Sequence, residues 1–392
     1  MKQLVSFFMA IYFSVMALLG VPFAPDDLEI RPVEGSVPTK ENRELFEAVF
    51  EAETRWISSL QLDNGAIPMT DSANGELRMS PYFADIAALA LLDDAGRYGD
   101  QVKKYMDWHF AHLNTAEGEY NGLDGTIYDY IITVKDGRVT DERVSHPQGG
   151  DPYDSTDSYA ATFLTVLAKY ADKTGDKQYI ISQAENIKRI AGVMTATLHN
   201  SLSFAKPNHK VKYLMDNCEV YEGALAAAAL FGIIADSGMS SYRDIAAEYT
   251  AMARTVKQGI NTKMWNFVAG YYTPEMTLHG IPTKIFSWKK FYPCATAQLF
   301  VITSSVIEPE TDRARHLYEK FSESFNWQSF DYDDDFYWCN NVLAAAIMCD
   351  TDRVTQYMTS YEQLMKNHSW PLYNADSARV SMAAHIMLEK FS

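Results

Sequence analysis

Paired cysteines are missing from this chain. The four it has, Cys218, Cys294, Cys339 and Cys349, are scattered through 392 residues with no CxxC spacing, so neither a disulfide framework nor a zinc ribbon organises it. Buried free thiols are the expectation. Positive charge is scarce too: 34 Lys and Arg face 51 Asp and Glu, a formal net charge of −17. Nucleic-acid binding needs cations that neutralise phosphates. No nucleic-acid partner is therefore expected, and a neutral or cationic ligand is easier to accept. There is no Gly-x-Ser-x-Gly elbow and no nucleotide loop, and His109 and His112 stand three apart without an HExxH arrangement. That sets aside serine-elbow, nucleotide and zincin chemistry. Neither a metal nor an organic cofactor is called for.

What is plentiful is apolar and aromatic: 47% hydrophobic residues, with 24 Tyr, 20 Phe and 7 Trp, which makes a folded chain the default. Some of this sits at the start, where Lys2 precedes an apolar run from Leu4 to Ala24 and acidic residues follow. Such a segment is a secretory signal or a signal anchor, and it is long enough to span a bilayer. Either reading puts the rest of the chain outside the cytoplasm, secreted or held at a membrane. Residues 1–24 are therefore set apart, 25–40 read as a polar linker, and 41–392 read as one domain, monomeric.

From residue 41 onward helical patterns follow one another: roughly 41–60, 80–94, 98–113, 154–173, 176–197, 214–237, 241–266, 290–305, 309–326, 335–349, 351–366 and 374–390. They alternate in character. The odd-numbered ones, such as "ENRELFEAVFEAETRW", carry one charged face; the even-numbered ones, such as "EGALAAAALFGII" and "CNNVLAAAIM", are apolar nearly all round. A helix apolar on every side is buried on every side. The even helices are thus inner and the odd ones outer. Connections from inner to outer are tight, whereas those from outer to inner are mostly long, and long loops in compact domains are usually functional. All of the long ones enter the N-terminus of an inner helix, so they share one face. The expected architecture is all-α: an (α/α)6 toroid of six helical hairpins. Within one long connection, "GTIYDYIITVKDGRVTDERV" alternates around an Asp-Gly turn, which predicts a β-hairpin flap at about 120–145.

This pattern resembles the six-hairpin glycosidase superfamily over nearly the whole chain after the linker. The local matches are "QLDNGAIPM" (61–69), "SPYFADIAALALL" (80–92), "DGTIYDY" (124–130), "YDSTDSYAATF" (153–163) and "MDNCEVYEGAL" (215–225). The resemblance implies hydrolysis of a polysaccharide or oligosaccharide at the long-loop face. Two other readings share the toroid: a polysaccharide lyase or sugar epimerase, and a non-catalytic carbohydrate-binding envelope protein. His146, His279 and His368, on loops of that face, keep the first of these open.

Glycoside hydrolysis needs two carboxyl groups flanking the scissile bond, and carboxylates do collect at the expected face. Asp154 either caps the fourth helix or lines a pocket; Asp157, three residues on, serves either the helix dipole or the pocket, with Tyr159 beside it. Asp216 and Glu219 have capping-box spacing, yet Glu219 and Glu222 also share one face of an inner helix, where charge needs a partner or water. Glu219 is the leading candidate for the general acid and Asp129 the second, with Asp157 or Asp216 as base. Candidate sugar-binding residues are Asp124 and Tyr128 at the flap, Asp154, Tyr159, Tyr221 and Glu222, and Asp335, where a solvated cap is the alternative. Trp288, Trp327, Trp338 and Trp370 join them, all placed on or near the long-loop side. Aromatic rings there would hold sugar faces.

Overall fold

The computed structural model describes residues 38–146, 150–331, 339–364, 367–368 and 372–389. The N-terminal apolar segment lies outside them, and so do Asp335, Trp338 and Trp370. The helices come as six hairpins, outer partner first. They are α1 Lys40–Ser59 with α2 Pro81–Leu91, and α3 Ala95–Ala111 with α4 Asp157–Thr174. Next, α5 Lys177–Ser182 and α6 Ala184–Thr197 together precede α7 Leu214–Asp236. The last three are α8 Tyr242–Gly259 with α9 Thr296–Thr303, α10 Asp312–Ser324 with α11 Asn340–Ile347, and α12 Thr351–Leu364 with α13 Asn374–Glu389.

Inner helices pack each on the next, in the order α2, α4, α7, α9, α11 and α13, and α13 returns to α2. The ring closes, and the fold is an (α/α)6 toroid. Composition explains the assignment. In α7, Val220, Ala224, Ala227, Leu230 and Ile234 are wholly buried, whereas α1 buries only the stripe through Phe46, Val49, Glu53, Thr54 and Ile57 and leaves its other charges toward solvent.

Small residues decide how closely the inner helices approach. Gly223 of α7 lies against the backbone of Ala161 in α4, so closely that a Cβ at 223 would stand 2.5 Å from the Ala161 Cα. Both residues sit one turn below a carboxylate, Glu219 on α7 and Asp157 on α4.

Three helices differ from expectation. The 176–197 pattern is two helices that part at Gln183, where Ser182 Oγ takes the Tyr179 carbonyl at 2.7 Å in competition with the backbone. The 241–266 pattern stops being regular at Gly259, passes through a wide turn over Ile260–Met264, and ends in a ribbon pairing Trp265–Asn266 with Tyr271–Tyr272. The 290–305 pattern becomes α-helical only at Thr296, because Pro293 holds Tyr292 in an extended conformation (φ −112°, ψ 136°).

The hairpin flap is present as β2 Tyr130–Lys135 and β3 Arg138–Val144, turning at Asp136-Gly137 with both φ positive. A third strand, β1 Gly75–Met79 from the first long connection, pairs antiparallel with β2. Glu142 ties this sheet to the ring, accepting from Asn64 Nδ2 at 2.5 Å and Trp108 Nε1 at 3.0 Å, with His112 Nε2 at 3.3 Å. A short ribbon, β4 Val211–Tyr213 with β5 Glu275–Thr277, leads directly into α7.

Candidate functional site

Six inner helices point their N-termini at the long connections, so side chains in their first two turns meet at one end of the ring. The chain before α4 is held by Thr156, whose N–H and Oγ1 both donate to the Ala205 carbonyl, at 2.7 and 2.9 Å. Asn217, fully buried in the first turn of α7, accepts from Ser203 N at 2.7 Å and donates to Ser203 O at 3.1 Å. The starts of α4 and α7 are thereby fastened to one short segment, residues 203–205.

Between them lies a carboxylate pair. Ser155 Oγ is 2.5 Å from Asp157 Oδ1 and 3.1 Å from Asp216 Oδ2. Asp157 is fully buried and also accepts from Ser158 N at 2.9 Å, while its Oδ2 has no hydrogen-bond partner. Asp216 is only half-buried. Burial pushes both carboxyls up, and the charges of Asp157, Glu219 and Asp154 push Asp216 further.

One turn along α7, Glu219 accepts from Tyr82 Oη at 2.5 Å. Burial raises its pKa to about 8, against the pull of the Tyr82 hydrogen bond and of the Arg379 guanidinium. Glu222, another turn deeper and half-buried, is raised to about 7 by burial, with Ser304 and Arg379 opposing. Asp129, at the foot of the flap, accepts from Tyr159 Oη at 3.1 Å; burial lifts it to about 7, with Ser80 and Tyr159 opposing and Asp154 reinforcing. Asp154 itself is exposed. Its charge is felt by Asp129, Asp216, Tyr159, Tyr213 and Tyr292, which come from four different parts of the chain. The mouth of the ring is thus a cluster of acids around one exposed carboxylate, with Arg379 the cation that reaches Glu219 and Glu222.

The structure brings together Asp129, Asp154, Asp157, Tyr159, Asp216, Glu219 and Glu222. It corrects the local reading of several. Helix α4 starts at Asp157, so Asp154 is outside the helix and caps nothing. Helix α7 starts at Leu214 with Tyr213 as cap residue, so Asp216 lies in its first turn and no capping box forms; the partner of Glu219 is Tyr82. Asp124 is not in the cluster: it accepts from Arg189 Nε and Nη2 at 2.8–3.0 Å on outer helix α6. Tyr128 spends its hydroxyl on the 118–120 loop, accepting from Tyr120 N at 2.7 Å. Tyr221 faces outward, under the ammonium of Lys257 on α8. Trp327 is fully buried against Tyr357, with its Nε1 donating to Ser322 Oγ at 3.3 Å, and it is a core residue. Trp288 is half-buried, edge-on to Phe286 in the loop before α9.

Tyr82, Ser155, Tyr292 and Arg379 belong to the cluster without having been singled out from the sequence, although Tyr82 and Ser155 lie inside the segments 80–92 and 153–163 that carry the resemblance. Arg379 does carry a visible signal, being an arginine within a helix otherwise rich in small apolar residues. Among the described residues no three His, Cys, Asp or Glu side chains are grouped to hold a metal ion. A cleft of about 270 Å³ lined by Glu53, Tyr361 and His368 lies on outer helices α1 and α12 and contains none of these carboxyls.

No family model matches the chain, and no curated protein does. Solved structures do. A structure described as a wild-type glycosidase superposes with a TM-score of 0.60 at 9% identity, covering 90% of this chain and 99% of that one. A mannosylglycerate hydrolase of glycoside hydrolase family 63 from Thermus thermophilus, in complex with glucose, gives 0.55 at 9% identity, covering 87% and 99%. A beta-1,3-1,4-glucanase from a Paenibacillus species gives 0.57 at 12% identity, covering 92% and 98%. The fold of this chain is the one these structures share. At such low identity the likeness is one of architecture, and the chemistry of the mouth belongs to this chain's own residues.

Proposed function

We propose that this chain is an exported glycoside hydrolase acting on a neutral polysaccharide or oligosaccharide. One observation carries the reading: Glu219 and Asp216 stand in the first two turns of one inner helix, at the loop-bearing end of the ring, in unlike environments. Glu219 is buried, held near pH 8 and oriented by Tyr82, which suits a general acid that gives its proton to the leaving oxygen. Asp216 is within reach of water and suits the anomeric side, as base or nucleophile. Asp154 and Tyr292 would line the sugar site. The acidic surroundings repel a uronate, which disfavours a lyase. The apolar segment at residues 4–24 supports export, with or without retention at a membrane.

The test is product release from a panel of neutral, acidic and amino polysaccharides, with Glu219→Gln and Asp216→Asn alongside. Saturated reducing ends from the parent protein, reduced at least ~100-fold in both variants, are the expected result. Unsaturated ends would transfer the site to lyase chemistry. Sugar binding without turnover would leave a carbohydrate-binding protein.

A further inference from the structure

We propose that Asp157 is a positioning residue for Asp216: through the bridging hydroxyl of Ser155 the two carboxyls hold one proton between them, and Asp216, the member that water reaches, acts on the substrate. The role in catalysis rests on the hydrolase reading above; the shared proton does not.

The geometry favours the sharing. Ser155 has one hydroxyl proton and three oxygens within hydrogen-bond distance: Asp157 Oδ1 at 2.5 Å, Asp216 Oδ2 at 3.1 Å and, farthest, the Ala205 carbonyl at 3.3 Å. It can donate to only one at a time. Both carboxyl contacts are hydrogen bonds only when the other carboxyl is itself protonated and donates to Oγ. With both ionised, one oxygen would face the hydroxyl lone pairs, and two negative charges would sit across a single bridging atom in a largely dry site. Asp157 makes this costlier, because it is fully buried and its Oδ2 has no partner. It also lacks the exposure needed to touch a sugar. Its connections run inward, to the Ser158 N–H and to Ser155, with the Ser203 hydroxyl also favouring its ionised form. Asp216 faces the mouth.

Asp157 is one of several groups that bear on Asp216. Asp154 approaches from the segment before α4, Glu219 and Cys218 from α7 itself, and Tyr82 from α2. Tyr213 of β4 and Tyr292 of the turn before α9 complete the set. Arg379 of α13 reaches Glu219 and Tyr82. The tyrosines and the thiol stay neutral across the acid range, since burial raises each of them. Asp154 and Glu219 remain in place in every variant below. What changes in Asp157→Asn is one carboxyl, replaced by an amide of the same shape that can still donate to Ser155 Oγ.

The experiment uses the full chain with 13C-carboxyl-labelled aspartate, the Asp216 signal being assigned by its loss in Asp216→Asn. In the parent, the Asp157 and Asp216 signals titrate as a linked pair. In Asp157→Asn the Asp216 midpoint falls by about one pH unit or more. Ser155→Ala weakens the linkage to the direct repulsion between the two charges, and Ser155→Thr restores it. In turnover, the acid limb of the kcat/KM profile moves to lower pH in Asp157→Asn with KM little changed, whereas Ser155→Ala lowers kcat about tenfold or more. An Asp216 midpoint that stays put in a folded Asp157→Asn protein overturns the shared proton. A shifted midpoint with an unmoved acid limb overturns the positioning role. Linked titration in a protein that cleaves no sugar would remove the hydrolase reading and leave the proton-sharing pair standing.

Discussion

Tyr82 and Tyr159 lie ring on ring, with centroids 5.8 Å apart and planes 20° from parallel, and each gives its hydroxyl to a different acid. Tyr82 serves Glu219 and Tyr159 serves Asp129. The stack therefore fixes two carboxyl groups that come from the second helical turn of α7 and from the foot of the flap. A donated hydrogen bond favours the ionised acid. In Tyr82→Phe, Glu219 accordingly holds its proton to higher pH. The basic limb of the kcat/KM profile should move upward while kcat falls about tenfold through lost orientation. A limb that moves downward would show that another group governs it.

Stability should fall as pH rises through neutrality. In an unfolded chain Glu titrates near ~4.3 and Asp near ~3.9. Folding raises Glu219 to about 8, and Glu222 and Asp129 to about 7, chiefly by burial. Between the two sets of values the folded protein holds protons that the unfolded chain has lost. The stabilisation is complete below the unfolded values and disappears as pH climbs to the folded ones. Each fully buried group contributes on the order of 1.4 kcal/mol per pH unit inside its window, and half-exposed Glu222 contributes less. Thermal unfolding from pH 5 to 8 should show a falling Tm, and Glu219→Gln should flatten that fall.

The flap should loosen without the ring melting when Glu142 is removed. Glu142→Ala deletes the acceptor shared by Asn64, Trp108 and His112, at a cost of ~1–3 kcal/mol. Hydrogen exchange should accelerate across residues 130–144 and stay slow in α4 and α7. Uniform acceleration would mean that the sheet is integral to the ring.

Asp124→Asn should leave turnover unchanged. Its carboxylate is committed to Arg189 at the surface, and an exposed pair of that kind contributes only ~0–1 kcal/mol. Steady-state kinetics with a small Tm change is the expected result; a large loss of kcat would return Asp124 to the site.

The ring was legible in the sequence for a physical reason. Small-residue helices such as the one through Ala224–Ala228 expose no polar face, so only an inner position satisfies them. The flap was legible through Asp136-Gly137, because few residue pairs tolerate two positive φ values. Helix starts were harder. Aspartate is favoured both as a cap and within the first turn, so Asp154 and Asp216 could be placed near a helix end but not in register with it. The partnerships were not legible at all: Tyr82 and Glu219 are 137 residues apart, and only closure of the ring brings them together. Trp327 shows the converse error. An aromatic residue in a connection looks like a sugar platform until the burial of its ring is known.

Gly223 and Ala161 give the mouth an unusual kind of vulnerability. The distance between the two helices that carry Asp157, Asp216 and Glu219 is set by an atom that is not there. Restoring it in Gly223→Ala would press a methyl group against backbone rather than against a yielding side chain. The wedge would act one helical turn below the acids and remove none of their hydrogen-bonding atoms. Its effect would surface as altered proton affinity across the Ser155 bridge, so in this fold the acidity of the mouth is partly encoded by steric vacancy, at a position no inventory of polar residues would include.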